Sequence, residues 1–393
     1  LKNRGLEKED ISKWRLGFAK NEWRDLHDFL LSKNFSKEKM LEAGLLKTPV
    51  LNSGEQTEQK KYYDTFRNRI MFPIFDTTGK VIAFSGRAMR EDEKTPKYLN
   101  SPETKLFHKS EVLYGFNIAK NSIRKLDYGI LVEGQMDLLM SHQAGVANTV
   151  ASSGTALTEG HLQKIQKLAN RVIVAYDSDS AGEKASLRAA EIALALGMEV
   201  KIASLPKGED PASLIKNDPE QWKNALKNSE HFLDFALNKT LRESTSKNLT
   251  REIIKNVLPL VNLIKSDIEK NQFIRKIANK IGVNEEAVWN DIRKIKTNDV
   301  NQTYEIQTKN SPDSLEKIMA GIIFLETTKG NLEWEKKWKE ISGEAEVSGI
   351  LEPWETEKDR LIFETEKNFP SSNNQNGYED ILKRIEIKVL KIK

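Results

Sequence analysis

Two apolar runs end abruptly at acidic residues, and this pattern restricts the fold of the chain more than any other feature. The run at 129–132 stops at Glu133, and the run at 172–176 stops at Asp177 and Asp179. A helix-like pattern follows each run, as expected where strands and helices alternate. In an open α/β sheet the carboxyl ends of parallel strands share one edge, where ligands bind. The three acids are therefore predicted to converge on one crevice.

Strand and helix patterns alternate strictly between residues 127 and 216. Such alternation predicts an α/β fold with a mostly parallel sheet flanked by helices. The predicted order is strand 129–133, helix 135–144, strand 147–151, helix 158–169, strand 171–176, helix 181–196 and strand 199–204.

The segments on either side of this region have different patterns, and 393 residues are too many for one ordinary domain. Residues 1–126 combine short helical patterns with a hairpin whose strands, 69–75 and 80–85, are joined by a turn at 76–79. This mixture predicts an α+β subdomain. The later segments predict a helical bundle at 217–296, a polar linker at 297–313 and a charged helical region at 314–393.

Two further acids, Asp137 and Asp210, are predicted to lie at the same edge of the sheet. Asp137 falls in the first turn of the helix after Glu133, and Asp210 falls in the turn after the fourth strand. Like charges on one rim disfavour each other's ionised form unless a cation neutralises them. Carboxylate oxygens suit hard cations such as Mg²⁺ or Mn²⁺, whereas a chain without Cys offers no thiolate zinc site. The alternative is that acids such as Asp137 and Asp179 only cap helices.

Basic residues and one amide cluster just before the α/β region. Arg side chains match phosphate oxygens in geometry as well as in charge. The net charge of +4 is modest, so the prediction of an anion-binding surface rests on local clustering. The alternative is that these charges flank strands and are simply solvated. The candidate template- or nucleotide-binding residues are Arg67, Arg69, Arg87, Lys97, Asn100 and Lys109.

The residues at the two acidic strand ends resemble the TOPRIM module that primases, topoisomerases and some nucleases share. The motifs are Glu133-Gly134 and Asp177-Ser-Asp179-Ser-Ala-Gly182. Ser178 stands where the family usually has Gly, and Ala212 where it often has a further Asp. On this resemblance the catalytic, metal-binding acids would be Glu133, Asp177 and Asp179, supported by Asp137 and Asp210.

Several upstream segments are similar to the RNA polymerase domain of DnaG-type bacterial replicative primases. They lie at 66–74, 81–87, 95–104, 106–109 and 113–115. The resemblance is closest over about residues 1–216. It implies that Arg87, Lys97, Asn100 and Lys109 occupy template- and nucleotide-binding positions.

The resemblance implies synthesis of short RNA primers on a single-stranded DNA template from ribonucleoside triphosphates. It also implies a replicative helicase as partner, which we expect at 314–393. A zinc-binding domain is expected ahead of Leu1, since the chain starts without Met and has no Cys. Because no apolar run reaches membrane-spanning length and no signal peptide is present, we expect a cytoplasmic enzyme.

Two other classes of function remain open from the sequence. A TOPRIM-type nuclease or topoisomerase-like enzyme would use the same acids, although a topoisomerase also needs a tyrosine nucleophile on a DNA-gating domain. A non-catalytic nucleic-acid-binding replication factor would use the acids only as helix caps. The chain has no Gly-rich Walker loop, which argues against a motor ATPase.

Overall fold

The structure, a computed structural model, describes residues 1–48, 62–89, 96–245, 248–295 and 322–323. The chain divides into two compact units, Leu1–Arg293 and Lys294–Lys393. The predicted linker and nearly all of the predicted C-terminal helical region lie outside the described residues. No helix in the described ranges has both the length and the apolar composition needed to cross a membrane.

The N-terminal part of the first unit contains short helices around an antiparallel sheet. This sheet has the strand order β1-β4-β5-β6, and β2 pairs with β3 separately. The elements are α1 (Lys8–Lys13), β1 (Gly17–Ala19), α2 (Asp25–Ser32), α3 (Lys37–Glu42), β2 (Leu46–Lys47), β3 (Tyr63–Asp64), β4 (Arg69–Phe75), β5 (Val81–Ala88), β6 (Tyr98–Asn100) and α4 (Phe116–Leu126).

The predicted hairpin is confirmed and corresponds to β4 and β5. Asp76 forms its turn: the Oδ1 atom accepts hydrogen bonds from the backbone N–H groups of Thr78 at 2.8 Å and Lys80 at 2.9 Å. The Thr78 hydroxyl donates to the same atom at 2.8 Å. Asp favours turns because its side chain can replace backbone partners in this way. The second strand continues beyond the predicted end at 85 as far as Ala88.

The predicted alternation of strands and helices is confirmed in the central part of the unit. Strands β7 to β10 are parallel, and β9 and β7 are neighbours in the order β10-β9-β7-β8. Each predicted strand is one or two residues longer than the observed one, at its end for β7, β9 and β10 and at its start for β8. The elements are β7 (Gly129–Val132), α5 (Gln135–Gln143), β8 (Thr149–Ala151), α6 (Glu159–Gln166), β9 (Arg171–Val174), α7 (Ser180–Ala195), β10 (Glu199–Ile202) and α8 (Pro211–Asn217).

The following segment is helical as predicted, with one exception. Residues Glu230–His231 form β11, an edge strand that pairs antiparallel with β10. Two residues are too few to show a strand period, so the prediction of uninterrupted helices missed it. The helices are α9 (Pro219–Lys227), α10 (Phe232–Glu243), α11 (Leu249–Asn256), α12 (Leu258–Asn262), α13 (Asp267–Ile281) and α14 (Glu285–Lys294).

One apolar core joins the N-terminal part to the parallel sheet. Trp14, from the end of α1, is fully buried and stacks on Tyr114 with ring centroids 5.8 Å apart. Tyr114 exchanges backbone hydrogen bonds with Ala151 at the end of β8. Leu138 of α5 and Trp222 of α9 belong to the same core. The two parts are therefore packed as one unit, and subdomain boundaries at 126 and 216 remain predictions.

Gly115 allows the backbone to pack closely against Leu138 of α5, and a substitution tests this role. Its φ is +79°, and a Cβ atom there would lie 2.6 Å from Leu138 Cδ1. We expect Gly115→Ala to lower the free energy of unfolding by about 2–4 kcal/mol, from backbone strain plus overpacking. Gly79 is the matched control, because its φ is +91° and a Cβ atom there would have no described heavy atom within 4 Å. Gly79→Ala should cost only about 1 kcal/mol. Equal losses in denaturant unfolding would contradict the packing argument.

Candidate functional site

Glu133 and Asp177 lie side by side because the strands that precede them are paired. In the parallel register of β7 and β9, Leu131 faces Val174, so both chains leave the sheet at the same edge. Glu133 Oε1 and Asp177 Oδ1 are buried and lack a hydrogen-bond partner among the described residues. A buried carboxylate oxygen without a donor is destabilising. Both atoms are therefore suited to binding a cation.

The pKa values of three acids show that burial and neighbouring negative charges disfavour their ionised forms. Burial, followed by the charge of Asp177, raises the pKa of Glu133 to about 7. Burial, followed by the charges of Asp210 and Asp179, raises the pKa of Asp177 to about 6. Burial, with Asp177 and Asp210, raises the pKa of Asp137 to about 7. A bound divalent cation would favour the ionised forms and remove this conflict.

Asp137 is a buried acid with a structural partner on each side. Its Oδ2 accepts a hydrogen bond from Gly134 N at 2.9 Å, and its Oδ1 accepts one from Ala212 N at 3.2 Å. The carboxylate therefore caps α5 and ties it to the first turn of α8. Asp137 supports the site by holding two helix starts in place.

Asp179 and Asp210 are also helix caps. Asp179 Oδ1 accepts from Ala181 N at 3.0 Å and Gly182 N at 2.7 Å at the start of α7. Asp210 Oδ1 accepts from Ser213 N at 2.6 Å at the start of α8. The cap interpretation is thus correct for these acids, and capping leaves the second carboxylate oxygen of each available. Within the described ranges, no three His, Asp or Glu side chains already form a ligand set for a metal ion.

Steric fit and hydrogen bonding explain why small residues occupy positions 178 and 182 of the acidic motif. A Cβ atom at Gly182 would lie 2.3 Å from the backbone O of Asp177 and 2.9 Å from Glu133 Oε1, so only Gly permits α7 to start this close to the strand ends. Ser178 fits where the family usually has Gly. Its N–H and hydroxyl both donate to the carbonyl of Glu209, at 3.2 Å and 2.9 Å. This contact joins the loop after β9 to the turn before α8.

An open cavity of about 700 Å³ is lined by both acidic and basic residues. Four of the five predicted acids line it, and Asp179 does not. Arg87 and Lys97 also line it, and the charge of Lys97 opposes the increase in the pKa of Asp177. We refer to this space as the main cavity. Its predicted lining residues are Glu133, Asp137, Asp177, Asp210, Arg87 and Lys97.

Arg4 and Lys216 also line the main cavity, and the sequence analysis missed both. Lys216 Nζ donates to the carbonyl of Asn3 at 3.0 Å, which joins the chain start to α8. The two cations are more than two hundred positions apart in the chain, and neither lies in a basic cluster. No local signal could have placed them at the acidic edge.

The other predicted basic residues lie elsewhere. Asn100 and Lys109 line a small adjoining cleft, where Asn100 Nδ2 donates to Ser153 O at 2.9 Å. Arg67 lies 4.2 Å from the Trp23 ring centroid and 5.0 Å from that of Tyr63. The predicted basic residues thus lie in the main cavity (Arg87 and Lys97), in the adjoining cleft (Lys109) and beside two aromatic rings (Arg67).

Arg69, predicted as a template- or nucleotide-binding residue, is instead buried. Its side chain is 5% exposed, and Nη1 donates to the carbonyls of Gly86 at 2.9 Å and Pro96 at 3.0 Å. Backbone carbonyls of the β5–β6 segment thus take the place of phosphate oxygens. Arg69 stabilises the strands that carry Arg87 and Lys97.

Carboxylates gathered at the ends of the neighbouring parallel strands β7 and β9, in a cavity that basic residues also line, agree with the predicted TOPRIM-type module. Comparison with known proteins identifies the family. Three family models match: "DNA primase catalytic core, N-terminal domain" at residues 1–120, "Toprim-like" at 130–215 and "DnaB-helicase binding domain of primase" at 251–286. A Toprim-like module in a primase implies the use of a divalent metal.

Relatives and solved structures agree with these models. The DNA primase of Clostridium acetobutylicum is 38% identical over 291 residues, covering 73% of this chain and 46% of the relative. A DNA primase domain from Pseudomonas aeruginosa is 33% identical, with a TM-score of 0.64 over 75% of this chain and 91% of that one. A DnaG primase catalytic domain bound to single-stranded DNA is 31% identical, with a TM-score of 0.63 over 73% and 89%.

The chain belongs to the family of bacterial DnaG-type DNA primases. It spans about half the length of the curated relatives it matches. The helicase-binding match falls at 251–286, within α11 to α14, whereas the sequence analysis expected a helicase contact at 314–393. Nearly all of residues 314–393 lie outside the described residues, so a helicase contact there stays a prediction.

The raised pKa values of Glu133, Asp137 and Asp177 predict how stability depends on pH without a divalent cation. The folded chain binds more protons than the unfolded chain between about pH 4 and 7, so these groups make stability fall as the pH rises through that window. Mg²⁺ should offset the fall at pH 7.5 and act weakly at pH 5. At a hundred times its dissociation constant the gain is about 2.7 kcal/mol. Thermal unfolding with and without MgCl₂ measures it.

The control for this experiment is the double variant Glu133→Gln/Asp177→Asn. It removes two titrating carboxylates while keeping their approximate shape, so its stability should fall less steeply with pH. It should also gain much less from Mg²⁺. The same Mg²⁺ gain in both proteins would place the cation elsewhere.

The burial of Arg69 predicts that its main role is in folding. Arg69→Met removes charge-assisted hydrogen bonds from a buried guanidinium to the carbonyls of Gly86 and Pro96 and should lower the free energy of unfolding by about 2–3 kcal/mol. Lys105→Met is the control, because the Lys105 side chain is 87% exposed. Denaturant unfolding measures both. If Arg69→Met kept full stability and instead weakened DNA binding, the structural assignment would be wrong.

Proposed function

We propose that this chain synthesises short RNA primers on single-stranded DNA, as a DNA-directed RNA polymerase of the primase type. One observation carries the proposal: Glu133 and Asp177, each with a buried oxygen that lacks a hydrogen-bond partner among the described residues, line the same cavity as Arg87 and Lys97. Nucleotidyl transfer needs this combination, because the reaction is catalysed mainly by positioning and by neutralising phosphate charge. A non-catalytic binding protein would gain nothing from buried acids that oppose their own ionisation.

Glu133, Asp177 and Asp179 would hold the cation as the catalytic acids, with Asp137 and Asp210 in support. Their donor set consists of carboxylate oxygens only, which suits Mg²⁺, with Mn²⁺ as a substitute. When bound, the cation would lower the pKa of the attacking 3′-hydroxyl and neutralise charge on the phosphates. Asp137 and Asp210 orient the loops that carry the other three acids through their caps.

The basic residues of the chain would bind and orient the substrates. Arg87 and Lys97 line the main cavity with the acids and suit the phosphates of the incoming ribonucleoside triphosphate. Asn100 and Lys109, in the adjoining cleft, suit the template backbone. Arg67, whose guanidinium lies near the rings of Trp23 and Tyr63, would be a further template contact. Phosphate contacts of this kind fix the position of the strand without reading its sequence.

The proposed macromolecular partners are single-stranded DNA and a replicative helicase. The relative solved with single-stranded DNA supports the first. The family-model match at 251–286 supports the second, and this segment exposes apolar side chains at Ile254, Ile268 and Val283. Replication of the chromosome would place the enzyme in the cytoplasm.

The proposal is tested by Glu133→Gln and Asp177→Asn, assayed separately for ribonucleotide incorporation on a single-stranded template. Each removes one anionic oxygen from the site, and we expect activity to fall by at least about 100-fold. The folded structure, followed by thermal unfolding, and the affinity for single-stranded DNA should be retained. Glu220→Gln is the control, because Glu220 is an exposed acid on α9 away from the main cavity.

Plasmid nicking is measured with the same proteins. Full incorporation by both variants would overturn the assignment of the acids. Metal-dependent nicking without any incorporation by the unaltered chain would favour a TOPRIM-type nuclease instead.

A further inference from the structure

A second cavity, of about 250 Å³, adjoins the main cavity at Glu133. Glu133, Ser152 and Thr155 line both spaces. The second cavity is lined in addition by two cations of α7, Lys184 and Arg188. Basic residues therefore line each of these two cavities together with Glu133. The functions proposed above use only the basic residues of the main cavity.

Lys184 and Arg188 form a coherent pair. They are four residues apart on α7, so they lie on one helix face, one above the other. Both are exposed, and neither has an acidic side chain within ion-pair distance in the part of the chain that the structure describes. By contrast, Glu183 on the same helix is paired with Lys239. The pair therefore presents two positive charges to the second cavity.

Tyr176 provides an independent sign of a missing ligand. It lines the second cavity, is 5% exposed, and its hydroxyl has no well-formed hydrogen bond to any of the described residues. A buried hydroxyl without a partner is costly. A phenol hydroxyl is a hydrogen-bond donor, so Tyr176 can donate to an anion bound in the second cavity.

We propose that the second cavity binds the 5′-polyphosphate of the initiating nucleotide, through Lys184, Arg188 and the Tyr176 hydroxyl. The inference rests on the proposed primer synthesis. The first bond forms when the 3′-hydroxyl of one nucleoside triphosphate attacks the α-phosphorus of a second, which releases pyrophosphate. Two polyphosphate groups must therefore be held near the same acids. Arg87 and Lys97 serve the incoming nucleotide in the main cavity. The initiating nucleotide keeps its triphosphate throughout, and no bond to that group forms or breaks.

A phosphodiester of the DNA template offers the same chemistry, so the experiment must separate the two sources. The test variant is Lys184→Gln/Arg188→Gln, which keeps side-chain length and removes both charges. The matched control is Lys223→Gln/Lys227→Gln, an exposed pair on α9 with the same spacing and the same loss of charge. Tyr176→Phe removes only the hydroxyl.

Three quantities are measured for each protein: the KM of the initiating nucleotide in de novo dinucleotide synthesis, the rate of extension of a preannealed RNA primer, and the affinity for single-stranded DNA. For the test variant we expect the KM of an initiating triphosphate to rise at least about tenfold. The KM of the corresponding nucleoside, which has no phosphate, should be unchanged. Tyr176→Phe should show a smaller rise. Extension and DNA affinity should match the control.

Binding of inorganic tripolyphosphate, followed by calorimetry, gives a readout that does not depend on turnover. The test variant should bind it more weakly than the control. Equal KM values in the test variant and the control would overturn the inference while leaving primer synthesis intact. Loss of DNA affinity and of extension, without a change specific to the initiating triphosphate, would assign the pair to the template instead. If the unaltered chain neither initiates nor extends primers, the proposed function and this inference both fail.

Discussion

The parallel pairing of β7 with β9 is the constraint on which the rest of the structure depends. It brings Glu133 and Asp177 to one edge of the sheet and buries an oxygen of each. Burial raises the pKa of both carboxylates, and neighbouring negative charges raise them further: Asp177 acts on Glu133, and Asp210 and Asp179 act on Asp177. The backbone hydrogen bonds of two strands and the apolar packing beneath them hold the acids in this arrangement. The fold thus maintains a local electrostatic conflict that a hard cation resolves, which is a common feature of catalytic sites.

The acids at this edge divide into two kinds by their hydrogen bonds. Asp137, Asp179 and Asp210 accept backbone N–H groups at the starts of α5, α7 and α8. Glu133 and Asp177 each keep a buried oxygen without a donor among the described residues. Capping and metal binding are therefore compatible at one site, because the caps fix the loops that carry the unsatisfied oxygens. The same division explains why an isolated Asp in a helix first turn says little, whereas a strand-end pair says much.

Two basic residues of the main cavity, Arg87 and Lys97, belong to a different part of the chain from the acids. Arg87 and Lys97 belong to the antiparallel sheet and the segment beside it, which the core around Trp14 and Tyr114 attaches to the parallel sheet. Buried Arg69 in turn holds the segment that carries them. The proposed phosphate binding and metal binding therefore depend on how the antiparallel sheet packs against the parallel sheet. Neither the basic cluster nor the acidic motif contains the residues that form this packing.

The order of strands and helices, the hairpin and the acids at strand ends were all predictable from the sequence, because hydrophobic period and turn chemistry are local properties. The TOPRIM and primase motifs identified the family for the same reason. Tertiary structure alone decided that Arg69 lies inside, that Arg4 and Lys216 reach the acidic edge, and that a short edge strand follows β10. It also decided that Lys184 and Arg188 line a cavity beside Glu133. These outcomes depend on contacts between residues far apart in the chain, and no local pattern encodes which surfaces will meet.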